Sequence, residues 1–292
     1  MSQTSQSVGT AALRVLGGAD RPAIDAVLAR DPAAHAFVAA RVQDASDRDG
    51  RGLDAWRLGG ELWGHVVDGE LESLCYSGAN LVPVEASKEA VRAFAERARR
   101  QGRHCSSLVG PADEVLGLWD LLEPSWGPAR DVRAVQPLLA TAYLPLVEPD
   151  PTVRQVLADE LDLVLPACIA MFTEEVGVSP LAGDGGTAYR ARVAELVMSG
   201  RAFARIEDGR VVFKAEVGVV SRDACQVQGV WVAPDRRGQG LAAAGMASVV
   251  RACLERVAPV VSLYVNIYNR PALATYDRVG FSRVGTFATV LF

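Results

Sequence analysis

Arg236 and Arg237 stand directly before Gly238-Gln239-Gly240, where an extended segment gives way to a helical run that begins at Leu241. The extended part, Gln226 to Val232, is rich in β-branched and aromatic residues, and Pro234-Asp235 ends it. Two residues without a Cβ at the mouth of a helix let the backbone come close to a ligand. Unpaired N–H groups and the positive end of the helix dipole make that mouth a site for phosphate. No G-K-[ST] follows, so this is not a P-loop, and the spacing is not G-x-G-x-x-G. The chemistry expected here is main-chain recognition of a diphosphate.

A second informative block runs from Val260 to Phe281, about twenty residues further on. Val260 to Val265 is an apolar run that suits a strand buried on both faces. Asn269 is a good helix cap, Pro271 fits the first turn, and Gly280 stops the helix. Asn269, Leu273 and Tyr276 fall at i, i+4 and i+7 and share one helix face.

The two blocks together resemble motifs of the GCN5-related N-acetyltransferases, the GNAT superfamily. Arg237-x-x-Gly240-x-Ala242 matches the pattern [RQ]-x-x-G-x-[GA], and Asn269, Ala272, Tyr276, Gly280 and Phe281 match the second pattern. The resemblance implies an acetyl-CoA cosubstrate whose pyrophosphate lies on the loop Arg237, Gly238, Gln239, Gly240, Leu241, Ala242 and Ala243. It implies that Val230, Trp231 and Val232 offer main-chain N–H groups beside the thioester, and that Asn269 holds the pantetheine arm. Tyr276 takes the position of the general acid that protonates the departing thiolate. A phenol has a pKa of about 10 and a thiol about 8.5, so the site must tune that transfer. Glu216 is the candidate base for the incoming ammonium, although a glutamate on a solvated strand face is the plain alternative. Relatives that carry a glutamate just before the second-motif asparagine have no counterpart here, where Tyr264 and Val265 stand. Two functions stay open: an N-acetyltransferase acting on an amine, or a non-catalytic acyl-CoA-binding or regulatory module.

The elements that must position these residues follow from pattern. Ala202–Ile206 and Val211–Val220 predict a hairpin around Asp208-Gly209. Phe213, Ala215 and Val217 share one face of its second strand, and Lys214 and Glu216 the other. Helices are expected over 159–175, 189–198 and from Leu241 onward, with a last strand from about Phe281 closing the sheet. Glu174 and Glu175 read as a solvated helix end. The first half shows a similar order: a strand at 12–16, a helix over 22–42, a glycine-punctuated meander, an amphipathic helix over 87–100 capped by Ser87, then strand, helix, strand. Its counterpart of the phosphate loop reads Leu-Val-Pro-Val-Glu-Ala-Ser, with no glycine pair and no cation. The fold expected is α/β: two GNAT-like domains, each a mixed, mostly antiparallel sheet flanked by helices. Residues 1–148 would be a degenerate domain and 149–292 the catalytic one.

Composition excludes several other classes. Of 292 residues, 50% are hydrophobic and 22% charged, which suits a globular enzyme rather than a disordered chain. A net charge of −5 predicts no general attraction to nucleic acid. The five cysteines lack C-x-x-C spacing and His35, His65 and His104 are scattered, so no metal site is expected. Residues 1–10 are polar without a signal-like core, and no run is long enough to span a bilayer. The expectation is a cytoplasmic monomer or homodimer with acetyl-CoA and an amine as its partners, and no membrane.

Overall fold

The computed structural model describes residues 11–46, 52–182 and 185–292; the polar start at 1–10 lies outside the described residues. Contacts divide the chain into two compact units. One comprises residues 1–137 and 285–292, the other residues 138–284.

The first unit contains β1 (Ala11–Val15), α1 (Arg21–Leu28), α2 (Pro32–Asp44), α3 (Ala55–Leu58), β2 (Gly60–Val67), β3 (Glu70–Gly78), β4 (Asn80–Val84), α4 (Lys88–Gln101), β5 (Ser107–Pro111), α5 (Ala112–Trp126) and most of β6 (Asp131–Thr141). The helix expected over 22–42 is two helices, because Asp31-Pro32 restarts it. Pro32 lacks the N–H that a continuing helix needs, and the Asp31 carboxylate accepts from Ala34 N at 3.0 Å as a cap. Strands β1 to β4 form an antiparallel meander. β4 and β5 run parallel and are paired only at Asn80↔Ser107 and Leu81↔Leu108. One core, around Phe94, Leu108, Leu118 and Trp119, packs α4 and α5 on the sheet; a second, around Ile24, Val38, Leu62 and Tyr76, packs α1 and α2.

The second unit continues with β7 (Arg154–Gln155), α6 (Leu161–Val176), α7 (Thr187–Met198), β8 (Ala202–Glu207), β9 (Arg210–Val220), β10 (Cys225–Val232), α8 (Leu241–Arg256), β11 (Val261–Tyr264), α9 (Arg270–Val279) and the start of β12 (Ser282–Leu291). Its strands lie in the order end of β6, β11, β10, β9, β8, β7. The β8–β9 hairpin turns at Asp208 and Gly209, both at positive φ, as the Asp-Gly pair predicts. One core lies under α8 and α9, around Phe213, Met246, Val249 and Leu263. The other lies under α6 and α7, around Val164, Cys168 and Val193.

The last strand departs from expectation. β12 pairs antiparallel with β5, Phe287 facing Pro111 and Leu291 facing Ser107, and so completes the first unit's sheet. The edge beside β11 is taken by β6 instead, with Leu138–Thr141 opposite Tyr264–Val261. An alternating apolar strand records that it has a buried face; it does not record which neighbour supplies its hydrogen bonds.

Candidate functional site

The phosphate-type loop forms at the start of α8. Its 3-10 turn, Pro234–Arg236, leads through Arg237 and Gly238 to Gly240, which caps the helix with φ 81° and no side chain of its own. Gly238 has φ 76°, and a Cβ at either glycine would meet nothing within 4 Å. Among the described residues, the N–H groups of Gly240, Leu241 and Ala242 have no acceptor in the chain; the first bond at this end is Ala243 N to Gly240 O, 3.1 Å. Open space in front of unpaired helix-start amides fits a phosphate group. Ala243 itself is buried and already bonded, so it closes the loop behind the donors.

Arg237 behaves differently from a free cation. Its Nε donates to Val232 O at 3.0 Å, and its Nη2 to Glu174 Oε2 at 2.7 Å. Glu174 Oε1 also accepts from the indole N–H of Trp231 at 3.2 Å. The expected solvated helix end at Glu174 is therefore tied to β10 and the loop. Gln239 stays local, accepting from Arg236 Nε at 3.2 Å.

β10 supplies an open edge. It pairs with β11 only at Cys225↔Val261 and Gln226↔Ser262, after which the two parallel strands part. On the β9 side the register slips between Gln228 and Trp231, which places Gly229 and Val230 in a bulge opposite Ala215. Main-chain groups of Val230, Trp231 and Val232 on the β11 side therefore have no strand partner. Val230 and Val232 pack toward α8, while Trp231 packs toward α6.

Asn269 and Tyr276 lie on α9. Asn269 is exposed and caps the helix, its Oδ1 accepting from Ala272 N at 3.2 Å, so the amide N–H₂ is the part left for a ligand. Tyr276 is 6% exposed and packs edge-on against Phe281, ring centres 5.9 Å apart. Among the described residues its hydroxyl has no hydrogen-bond partner. Burial, helped by the charge of Glu175, pushes its phenol above the ordinary value and so keeps it protonated.

Glu216 is not on a solvated face. It is 6% exposed and ion-paired with Lys214, itself 1% exposed, beneath α6. Its other oxygen, Oε2, lies 3.1 Å from where a Cβ on Gly229 would sit. Sequence reading missed this pair because Lys and Glu at i and i+2 of a strand look like its wet side. The signal available was that Lys214 is one of two lysines in an arginine-rich chain. The histidines fall outside the site: His35 and His65 are buried and His104 is exposed, all in the first unit. No three metal-ligating side chains gather among the described residues, and no helix there is long and apolar enough to cross a membrane.

Family models match two stretches of the chain. The model of the acetyltransferase (GNAT) family matches residues 187–281, which hold the loop, the parted strands and Tyr276. Residues 187–281 form a GNAT domain. A domain of unknown function, DUF4081, matches residues 60–164. A search of curated proteins finds no match. Among solved structures, the GCN5-related N-acetyltransferase from Sphaerobacter thermophilus is similar over 96% of this chain and 95% of its own, at 18% identity and TM-score 0.56. A GNAT-family acetyltransferase from Colwellia psychrerythraea covers 96% and 99%, at 12% identity and TM-score 0.53. A tandem GNAT protein from the clavulanic acid biosynthesis pathway covers 97% and 98%, at 12% identity and TM-score 0.50. These likenesses concern the fold, and they extend over both units: the architecture is that of a tandem GNAT protein.

Proposed function

We propose that the GNAT domain transfers an acetyl group from acetyl-CoA to a primary amine of a small molecule, an amino acid or a protein. The observation that carries this reading is the row of unpaired amides at Gly240, Leu241 and Ala242 facing open space, next to a strand whose edge is free. Main-chain donors suit a diphosphate without reorganising, and they serve here in place of the Arg237 side chain, which is engaged elsewhere. Asn269 and the edge of β10 at Val230–Val232 align the pantetheine arm, leaving the thioester beside the bulge.

In the reaction a C–N bond forms as the amine attacks the thioester carbon, and the C–S bond breaks. Glu216 takes the proton that the ammonium must lose before attack, Tyr276 gives its hydroxyl proton to the thiolate, and the second proton shed by the nitrogen as the amide forms passes to solvent. Solvent restores both groups. The amides of the β10 bulge face the carbonyl oxygen as its charge grows.

Calorimetric titration with CoA, followed by thiol-release assays with acetyl-CoA and a panel of amines, tests this. Micromolar binding with turnover of at least one amine supports the reading. Absence of CoA binding removes it, and binding without turnover across the panel would establish an acyl-CoA-binding module instead.

A further inference from the structure

The α6 face of the second unit's sheet hides a charged cluster that the transfer chemistry alone does not call for. Lys214 Nζ bonds Glu216 Oε1 and lies 3.4 Å from Cys168 Sγ on α6. The Cys168 thiol is in turn 3.4 Å from Glu216 Oε1. Tyr189 of α7 donates to Cys168 O at 2.9 Å, which closes the cluster from the far side. From the flanking strands, Ala202 and Ala204 of β8 and Gln228 and Trp231 of β10 face the pair in register. The titratable neighbours are therefore Cys168 and Tyr189, with the charge of Glu175 felt at Tyr189. Burial raises the Cys168 thiol to about 11, so it stands as a neutral S–H. Among the described residues Lys214 is the one cation in contact with the carboxylate.

A buried carboxylate with no cation takes up a proton and is then no base near neutral pH. Burial works against the Lys214 charge too, but Glu216 outweighs it and the ammonium persists. Among the described residues only Oε1 of Glu216 is hydrogen-bonded; Oε2 faces Gly229, where a Cβ would come within 3.1 Å of both Oε2 and the Met171 methyl, so glycine leaves room there that no other residue would.

We propose that Lys214 is a positioning residue: its ammonium fixes the Glu216 carboxylate as an anion with Oε2 presented at the Gly229 bulge, where the incoming amine gives up its proton. This rests on the acyl-transfer reading above. It adds a requirement that the first-motif loop and Tyr276 do not contain.

The test follows the Glu216 carboxylate directly, by carbon NMR of glutamate-labelled, CoA-saturated protein, with Glu216→Gln assigning the signal. In Lys214→Met the Glu216 titration should lie roughly two units or more above that of the unmodified protein, because the paired charge is gone. Lys214→Arg should restore it to within about half a unit, because the charge is kept. Lys214→Gln, which retains a donor without charge, replaces the Met variant should that one fail to fold, with the same rise expected. A titration in Lys214→Met or Lys214→Gln that coincides with the unmodified protein overturns the proposal, as does a Glu216 already protonated at neutral pH in the unmodified chain. With any amine that is turned over, the acidic limb of the kcat/KM profile should move by the same amount. A limb that stays in place while the NMR titration moves also overturns it. Failure of CoA to bind would instead sink the acyl-transfer reading, an outcome seen in the calorimetry rather than in these titrations.

Discussion

Two strand-to-helix turns in this protein share one plan and differ in who satisfies the helix start. β10 and β4 each pair with a parallel neighbour at only two positions before parting, and each then turns into a long helix. Before α8 the turn holds Gly238 and Gly240, and three amides face open space. Before α4 the chain fills the place itself: Ser87 caps the helix by accepting from Ala90 N at 3.2 Å, and Glu89 lies in the first turn. Glu114 Oε2, from α5, is buried without a hydrogen-bond partner among the described residues. The first unit closes its helix start with the Ser87 hydroxyl, whereas the amides of Gly240, Leu241 and Ala242 in the second have no acceptor among the described residues.

Four experiments sharpen or break that contrast. The largest effect is expected from Tyr276→Phe, which removes the proposed acid: kcat should fall by about 10²–10⁴, with CoA affinity nearly unchanged. Equal loss in binding and kcat would give Tyr276 a packing role only. Next, Gly240→Asp imitates the first unit by placing a carboxylate at the open mouth and a side chain at positive φ. Repulsion there should weaken CoA binding by roughly 100-fold, or about 2.7 kcal/mol, in calorimetry. Unaltered affinity would place the diphosphate elsewhere.

Third, Glu114 is raised from 4.5 to about 7, chiefly by burial. The folded protein therefore holds that proton more tightly than the unfolded chain does. Stability should decline as pH rises from about 4.5 to about 7, and remain lower above. Glu114→Gln should remove the decline, adding about 2–3 kcal/mol at pH 8 and almost nothing at pH 4 in urea unfolding. A pH curve for the variant parallel to that of the unmodified protein would show that Glu114 does not carry the decline. Smallest is Ser87→Ala, which should cost about 1 kcal/mol of stability through the lost cap and leave CoA affinity untouched.

The local backbone of the candidate site was legible in the sequence because its turns and caps demand particular residues. Gly238 and Gly240 sit at positive φ, Asn269 and Gly280 bracket α9, and Tyr276 follows Asn269 by two turns. Side-chain destinations were less legible. Lys214 and Glu216 share a strand face that alternation marks as polar, yet α6 covers it, and a period-2 pattern cannot announce a helix that arrives from fifty residues upstream. Arg237 fits its motif position, but its partner Glu174 could be known only from the packing of α6. Asp31-Pro32 marks a helix restart in the sequence, but the apolar period on either side of it reads as one continuous helix.

The route of the chain through its strands has a consequence for how the protein is born. The first unit's sheet gains the strand beside β5 only when residues 287–291 have been synthesised. A ribosome thus emits the early half with the edge of β5 bare and Leu108 lacking its neighbour Val290, and the half made first is the last to be finished.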